Sequence, residues 1–242
     1  MKNKIFKKGE LTTQQLVMII ILILSFAIIL FFIFRLNLGG TTNKEICHDS
    51  VVKKSNAVLG KFTGEIKCKT SYTCISAGEK CDEITATNTV SVDANNKDEI
   101  FKAIADEMTN CWWMFGEGKL NYGGGCAICS YIDFDDKVET EEISYKQFLD
   151  YLTKPRNIQS SNENYLFYLY GVSSLNSLFS IKPIWKLGYD ADIKIPLQGK
   201  FIIMTGKVKK GILKPEEVVS PEFPFKIEQI PADCNGNFIT QG

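Results

Sequence analysis

Hydrophobic and polar positions alternate along this chain in three distinct periods. From Leu16 to Phe34 every side chain is apolar except Ser25. Nineteen residues at 1.5 Å each make about 28 Å of helix, the thickness of a hydrocarbon core, and Thr12-x-x-Gln15 has capping-box spacing at its start. The pattern predicts a transmembrane helix over 16–35. A second helical period runs from Asn96 to Phe115, where Ile100, Ile104, Met108, Cys111 and Phe115 form one stripe. Phe101, Ala105 and Trp112 widen it, and Gly116 and Gly118 follow. That is an amphipathic helix packed on a core. Period-two alternation marks strands over 87–93 and 126–135, the second with Ile132 and Phe134 inward and Asp133 and Asp135 outward.

Between these stand weaker elements. Residues 43–58 suggest a short helix with a thin stripe of Ile46, Val51 and Val58. Lys61 to Asp82 suggests a stapled loop or two short strands. Ser144-x-x-Gln147 opens a helix through Phe148, Leu149 and Leu152 that Pro155 terminates. Asn164 to Tyr170 fits strand or helix, and 200–209 reads as a buried strand interrupted by Gly206. From Lys214 on, prolines and scattered apolar residues suggest an irregular tail. Helices and strands mix without regular alternation, so the fold class is α+β.

Charge adds a direction. Lys2, Lys4, Lys7 and Lys8 precede the apolar run, opposed by Glu10 alone, and Arg35 follows it. The positive-inside rule then expects a signal-anchor with its N-terminus cytoplasmic. A cleaved secretory signal is the competing reading, but the apolar run is longer than such segments use. The expected organisation is a cytoplasmic basic tail (1–15), a transmembrane helix (16–35), a juxtamembrane segment (36–60) and an extracytoplasmic α+β domain (61–242) at the cell membrane. The whole chain is neutral, with 28 basic and 28 acidic residues. Past residue 36 the balance is 23 basic to 27 acidic, which argues against nucleic acid as a partner.

Cysteine placement agrees with an oxidising compartment. All eight, Cys47, Cys68, Cys74, Cys81, Cys111, Cys126, Cys129 and Cys234, follow the apolar run. They are candidates for up to four disulfides, and spacing does not choose the pairing. Cys126-x-x-Cys129 has three readings. A thiol oxidoreductase would need Cys126 at a helix N-terminus, yet the flanks read as strand. A zinc site would need further ligands, and the only histidine is His48. The third reading is a staple from Cys111 to Cys126 or Cys129. Trp112 reads as core, whereas Trp113 lies off the stripe and is the candidate for contact with a partner. Glu117 and Lys119 form a possible pair between glycines. Asp133, Asp135, Asp136, Glu139, Glu141 and Glu142 read as a solvated acidic edge rather than a calcium loop. Serine nucleophile elbows, phosphate loops and histidine dyads are missing as motifs, so no metal or other cofactor is expected.

Two resemblances add to this. The run Cys111-Trp-Trp-Met-Phe-Gly-Glu-Gly-Lys119 followed by Cys126-x-x-Cys129 resembles a signature of archaeal single-pass membrane proteins without assigned activity. It covers about residues 96–155 and implies topology and domain type. Lys8-Gly9-Glu10 before the apolar helix resembles the type III signal of archaeal pilin-like proteins, cut after the glycine. This chain departs from it in having Glu10 and Gln14 where those pilins favour Gln and Glu, and in the helix break at Leu38-Gly39-Gly40-Thr41. The expectation is a membrane-anchored, non-enzymatic binding or envelope protein, with the lipid bilayer and a protein partner or further copies as its contacts. The alternatives are a thiol–disulfide oxidoreductase using Cys126 and Cys129, and a pilin-like assembly subunit.

Overall fold

The computed structural model describes residues 13–35, 42–56, 65–121, 125–139, 141–155, 163–209 and 216–219. The chain divides into two units, 1–42 and 43–242. The first contains α1 (Thr13–Arg35). The expectation of a transmembrane helix is corrected here, because among the described residues no helix is long and apolar enough to cross a membrane. The side chains described for α1 run from Gln14 to Ile29 and are all exposed.

The second unit begins with α2 (Asn43–Ser55), β1 (Ser71–Ser76), β2 (Asn88–Ser91), α3 (Lys97–Met114) and β3 (Gly125–Phe134). It continues through α4 (Asp136–Glu139), β4 (Ile143–Ser144), α5 (Tyr145–Leu152), α6 (Tyr165–Tyr170), α7 (Leu175–Ile181) and α8 (Pro183–Asp190). β5 (Lys194–Ile195), β6 (Phe201–Lys209) and β7 (Glu216–Val219) complete it. This is an α+β arrangement. Five strands form one mixed sheet in the order β2-β1-β3-β6-β7, with β1 parallel to both neighbours and the other pairs antiparallel. β4 and β5 make a separate antiparallel pair.

α3 lies on one face of the sheet, and its predicted stripe of Ile100, Ile104, Met108, Cys111 and Phe115 is buried with Ile75, Ile132, Phe134, Phe201 and Ile203. A bulge in β3 lets this core close. Ile128 faces Met204 but Ser130 faces Ile203, so Cys129 is an extra residue. The extra residue shifts the strand's parity. Ala127 and Cys129 before the shift, and Ile132 and Phe134 after it, therefore reach the same core.

α2 is fixed to α3 by Lys44 Nζ on the buried Glu107 carboxylate at 3.3 Å, and the Cys47–Cys68 disulfide ties it to the approach to β1. The capping box at the start of α5 forms with both halves, Gln147 N donating to Ser144 Oγ and Ser144 N to Gln147 Oε1. Asn164 caps α6 by accepting from Phe167 N, which makes this stretch a helix. Two expectations are corrected. Glu216–Val219 pairs with β6 as a strand rather than belonging wholly to an irregular tail. Asp133 and Asp135 are fully buried rather than part of a solvated edge, because the segment after β1 folds over them.

Candidate functional site

The sheet face turned away from α3 carries a candidate site. Tyr72 on β1 stands in direct register with Tyr131 on β3, and Cys74 with Asp133. Successive strand residues point to opposite faces. Since Ile75, Ile132 and Phe134 enter the α3 core, Tyr72, Cys74, Tyr131 and Asp133 share the other face. The two tyrosine rings stack with centroids 5.2 Å apart and planes 14° from parallel. Lys200 immediately precedes Phe201, whose partner is Ile132, so continuing the register brings Lys200 beside Asp133.

Residues 77–87 connect parallel strands β1 and β2, and three contacts press this connection onto the same face. The Cys74–Cys81 disulfide holds its middle. Glu83 N donates to Asp133 Oδ2 at 3.0 Å. At its far end Thr87 N donates to Tyr72 O at 2.8 Å and Tyr72 N to Thr87 Oγ1 at 3.0 Å. The clamped segment becomes one wall of a cleft of about 650 Å³, with Glu83, Ile84 and Thr85 facing Tyr72, Tyr131 and Lys200. Small-molecule sites typically run from about 300 to 1,000 Å³. Among the described residues, no hydrogen bond or ion pair engages the Glu83 carboxylate, the Thr85 hydroxyl, the Lys200 ammonium or either phenol.

Electrostatics set the state of these groups. Burial, and after it the neighbouring Tyr72, pushes the Tyr131 phenol up, so it stays a neutral hydroxyl that can donate and accept. Burial likewise pushes the Asp133 carboxyl up, against the Glu83 amide and Lys200, which pull it down. Its Oδ1 is buried without a hydrogen-bond partner among the described residues. Asp135 shows the opposite balance. Burial alone would raise it, but Ser76 Oγ, Ala77 N and Glu79 N donate to Oδ2 and Val138 N to Oδ1, and together they hold it below the usual carboxylate range. Asp135 is thus the clasp that closes the 76–79 turn and starts α4.

A second locus lies at the end of α3. The Cys111–Cys129 disulfide joins helix to bulge. Past it the backbone takes positive φ at Gly116, Glu117 and Gly118 (70°, 55° and 71°), a left-handed turn that is strained for a glutamate. The Glu117 carboxylate accepts from Lys119 Nζ and from Tyr168 OH at 2.9 Å. Burial would raise Glu117, but these donors hold it below its ordinary value, while burial and the carboxylate push the Tyr168 phenol well up. Trp113 is half-buried, and one face of its indole is covered by His48 at 4.2 Å between ring centroids. His48 Nδ1 donates to the Trp113 carbonyl at 2.8 Å. Trp113 therefore joins α2 to α3.

The cysteines divide plainly. Cys47 bonds Cys68, Cys74 bonds Cys81, and Cys111 bonds Cys129. Cys126 is also disulfide-bonded, so Cys126 and Cys129 do not form a pair with each other. Cys234 lies outside the described residues. Among the described residues no group of three or more His, Cys, Asp and Glu side chains is placed to hold a metal ion. Sequence reasoning missed Tyr72, Tyr131, Glu83, Thr85 and Lys200. The one local signal was Tyr131, two residues before Asp133 and so on its face of the strand; the parallel pairing that brings Tyr72 beside it has no sequence signature. No family model matches the chain, and neither a curated protein nor a solved structure matches it.

Proposed function

We propose that the second unit is an extracytoplasmic, non-enzymatic binding domain of the cell envelope, with its ligand seated in the Tyr72–Tyr131 cleft. The observation that carries this is the convergence on that cleft of an acid, a base and three hydroxyls without partners among the described residues. Groups without such partners need break no hydrogen bond or ion pair to receive a ligand. The disulfides support an oxidising compartment. Thermal denaturation of the full chain against a broad panel of small molecules tests it. A ligand at a hundred times its dissociation constant raises stability by about 2.7 kcal/mol, and the gain should vanish in Tyr72→Ala/Tyr131→Ala. A ligand whose effect survives in that variant, or a compound the protein turns over, overturns the reading.

A second reading, assembly of copies through the first unit in the manner of a pilin, is favoured by α1. Its apolar side chains, Met18, Leu22, Ile23 and Phe26 among them, are exposed around the whole circumference. An all-round apolar helix needs apolar company. N-terminal sequencing of the native protein decides it. A chain beginning at Glu10 supports assembly after processing, and an intact Met1 or a cut elsewhere removes it. Gly9 and Glu10 lie outside the described residues.

A further inference from the structure

We infer that the cleft takes a neutral, polyhydroxylated ring ligand: a short glycan. This rests on the reading of the cleft as a binding site and names the ligand class. The stacked Tyr72 and Tyr131 turn one ring face to each other and leave their outer faces and edges as a stiff apolar plate tipped with two hydroxyls, and tyrosine supplies such amphipathic area at low entropic cost. A sugar ring matches it, with a face of C–H groups and a rim of hydroxyls that each donate and accept. Around the plate stand an acceptor (the Glu83 carboxylate), a donor (the Lys200 ammonium) and a group that does both (the Thr85 hydroxyl), none engaged among the described residues.

Charge separates this class from others. Glu83 and Lys200 offset each other. A phosphate would gain Lys200 but meet Glu83, with Asp133 two positions from the Tyr131 plate. A polyamine would meet Lys200. A ligand whose polar groups donate and accept alike satisfies both ends, which an ion of a single sign does not, since a polar group buried without its complement costs free energy. The cleft, at about 650 Å³, has room for a short oligosaccharide.

The experiment is titration calorimetry on the full chain with maltotetraose, cellotetraose and chitotetraose at millimolar concentration, alongside inorganic phosphate and spermidine. At least one tetrasaccharide should bind. Tyr131→Ala should weaken it by about tenfold or more, and Glu83→Gln by roughly three- to tenfold. Tyr131→Phe keeps the plate, and should retain more affinity than Tyr131→Ala, which separates loss of the plate from loss of the fold. If phosphate or spermidine binds instead, sensitive to Tyr131→Ala, the glycan assignment falls and the cleft reading stands. If a sugar binds indifferently to Tyr131→Ala and Glu83→Gln, or no sugar binds, the assignment falls too; the cleft reading then depends on the broad panel alone.

Discussion

Cys129 bonds Cys111, eighteen residues earlier in the chain, and not Cys126, three residues away. Strand geometry is the reason, since residues three apart in an extended chain lie about 10 Å apart on opposite faces, and Cys129 shares the α3 side with Ala127. This disulfide closes a loop whose entropy alone is worth about 3 kcal/mol in the chain-entropy picture. Cys111→Ala/Cys129→Ala is therefore expected to lose about that much in urea or guanidinium unfolding. The double variant avoids leaving one free thiol in the core. Under native conditions, alkylation before mild reduction should label neither cysteine. Selective opening of Cys129 at mild potential would revive thiol exchange as an activity.

Asp135 accepts four hydrogen bonds, three of them from the 76–79 turn. Asp135→Ala leaves three backbone amides without their acceptor inside the protein, so a loss of about 3 kcal/mol or more is expected. The pH dependence has a definite sign. The carboxyl is held below its unfolded value, so its stabilisation is full above roughly pH 4 and is lost as pH falls through the lowered folded value. Unfolding curves at neutral and acid pH should converge between wild type and variant as the acid is titrated.

Much of the second unit was legible wherever its elements are local. The α3 stripe follows from a helical period, and the Ser144–Gln147 box from four consecutive residues. What stayed hidden depends on partners distant in sequence. Alternation places Asp133 and Asp135 opposite Ile132 and Phe134, but their burial depends on the connection between β1 and β2 lying over that face. The cleft needs β1 parallel to β3, a pairing invisible from either strand alone. Glu216–Val219 has too few apolar residues to read as a strand without β6 beside it. In the first unit, a count of apolar residues supplied a span that the described helix does not sustain.

The turn at Gly116 gives a steric test. A Cβ built there would lie 2.3 Å from two atoms of the Leu120 side chain, on a backbone with φ of +70°. Gly116→Ala carries a left-handed penalty of roughly 1–2 kcal/mol and an overpacking cost of similar size. A loss of about 2–4 kcal/mol is expected in chemical denaturation. Leu120→Ala in the same background should recover the packing share and leave the backbone share. Full tolerance of Gly116→Ala would mean that the turn relaxes without the left-handed geometry.

Asp133 should respond to substitution in the opposite direction from Asp135. Burial raises its carboxyl, so ionising it costs the folded state more than the unfolded one. The protein accordingly loses stability as pH rises from the unfolded value near 4 toward the raised folded value. Asp133→Asn removes that charge and keeps an oxygen to accept from the Glu83 amide. The variant is expected to match or exceed wild type at neutral pH, by up to about 1 kcal/mol. The difference should shrink below the unfolded value, where the wild-type acid is also neutral. Equilibrium unfolding of both proteins across that range checks the sign. A loss of stability at neutral pH alone would show that the ionised carboxylate is itself held by a donor, with Lys200 the nearest cation to examine by double-mutant cycle.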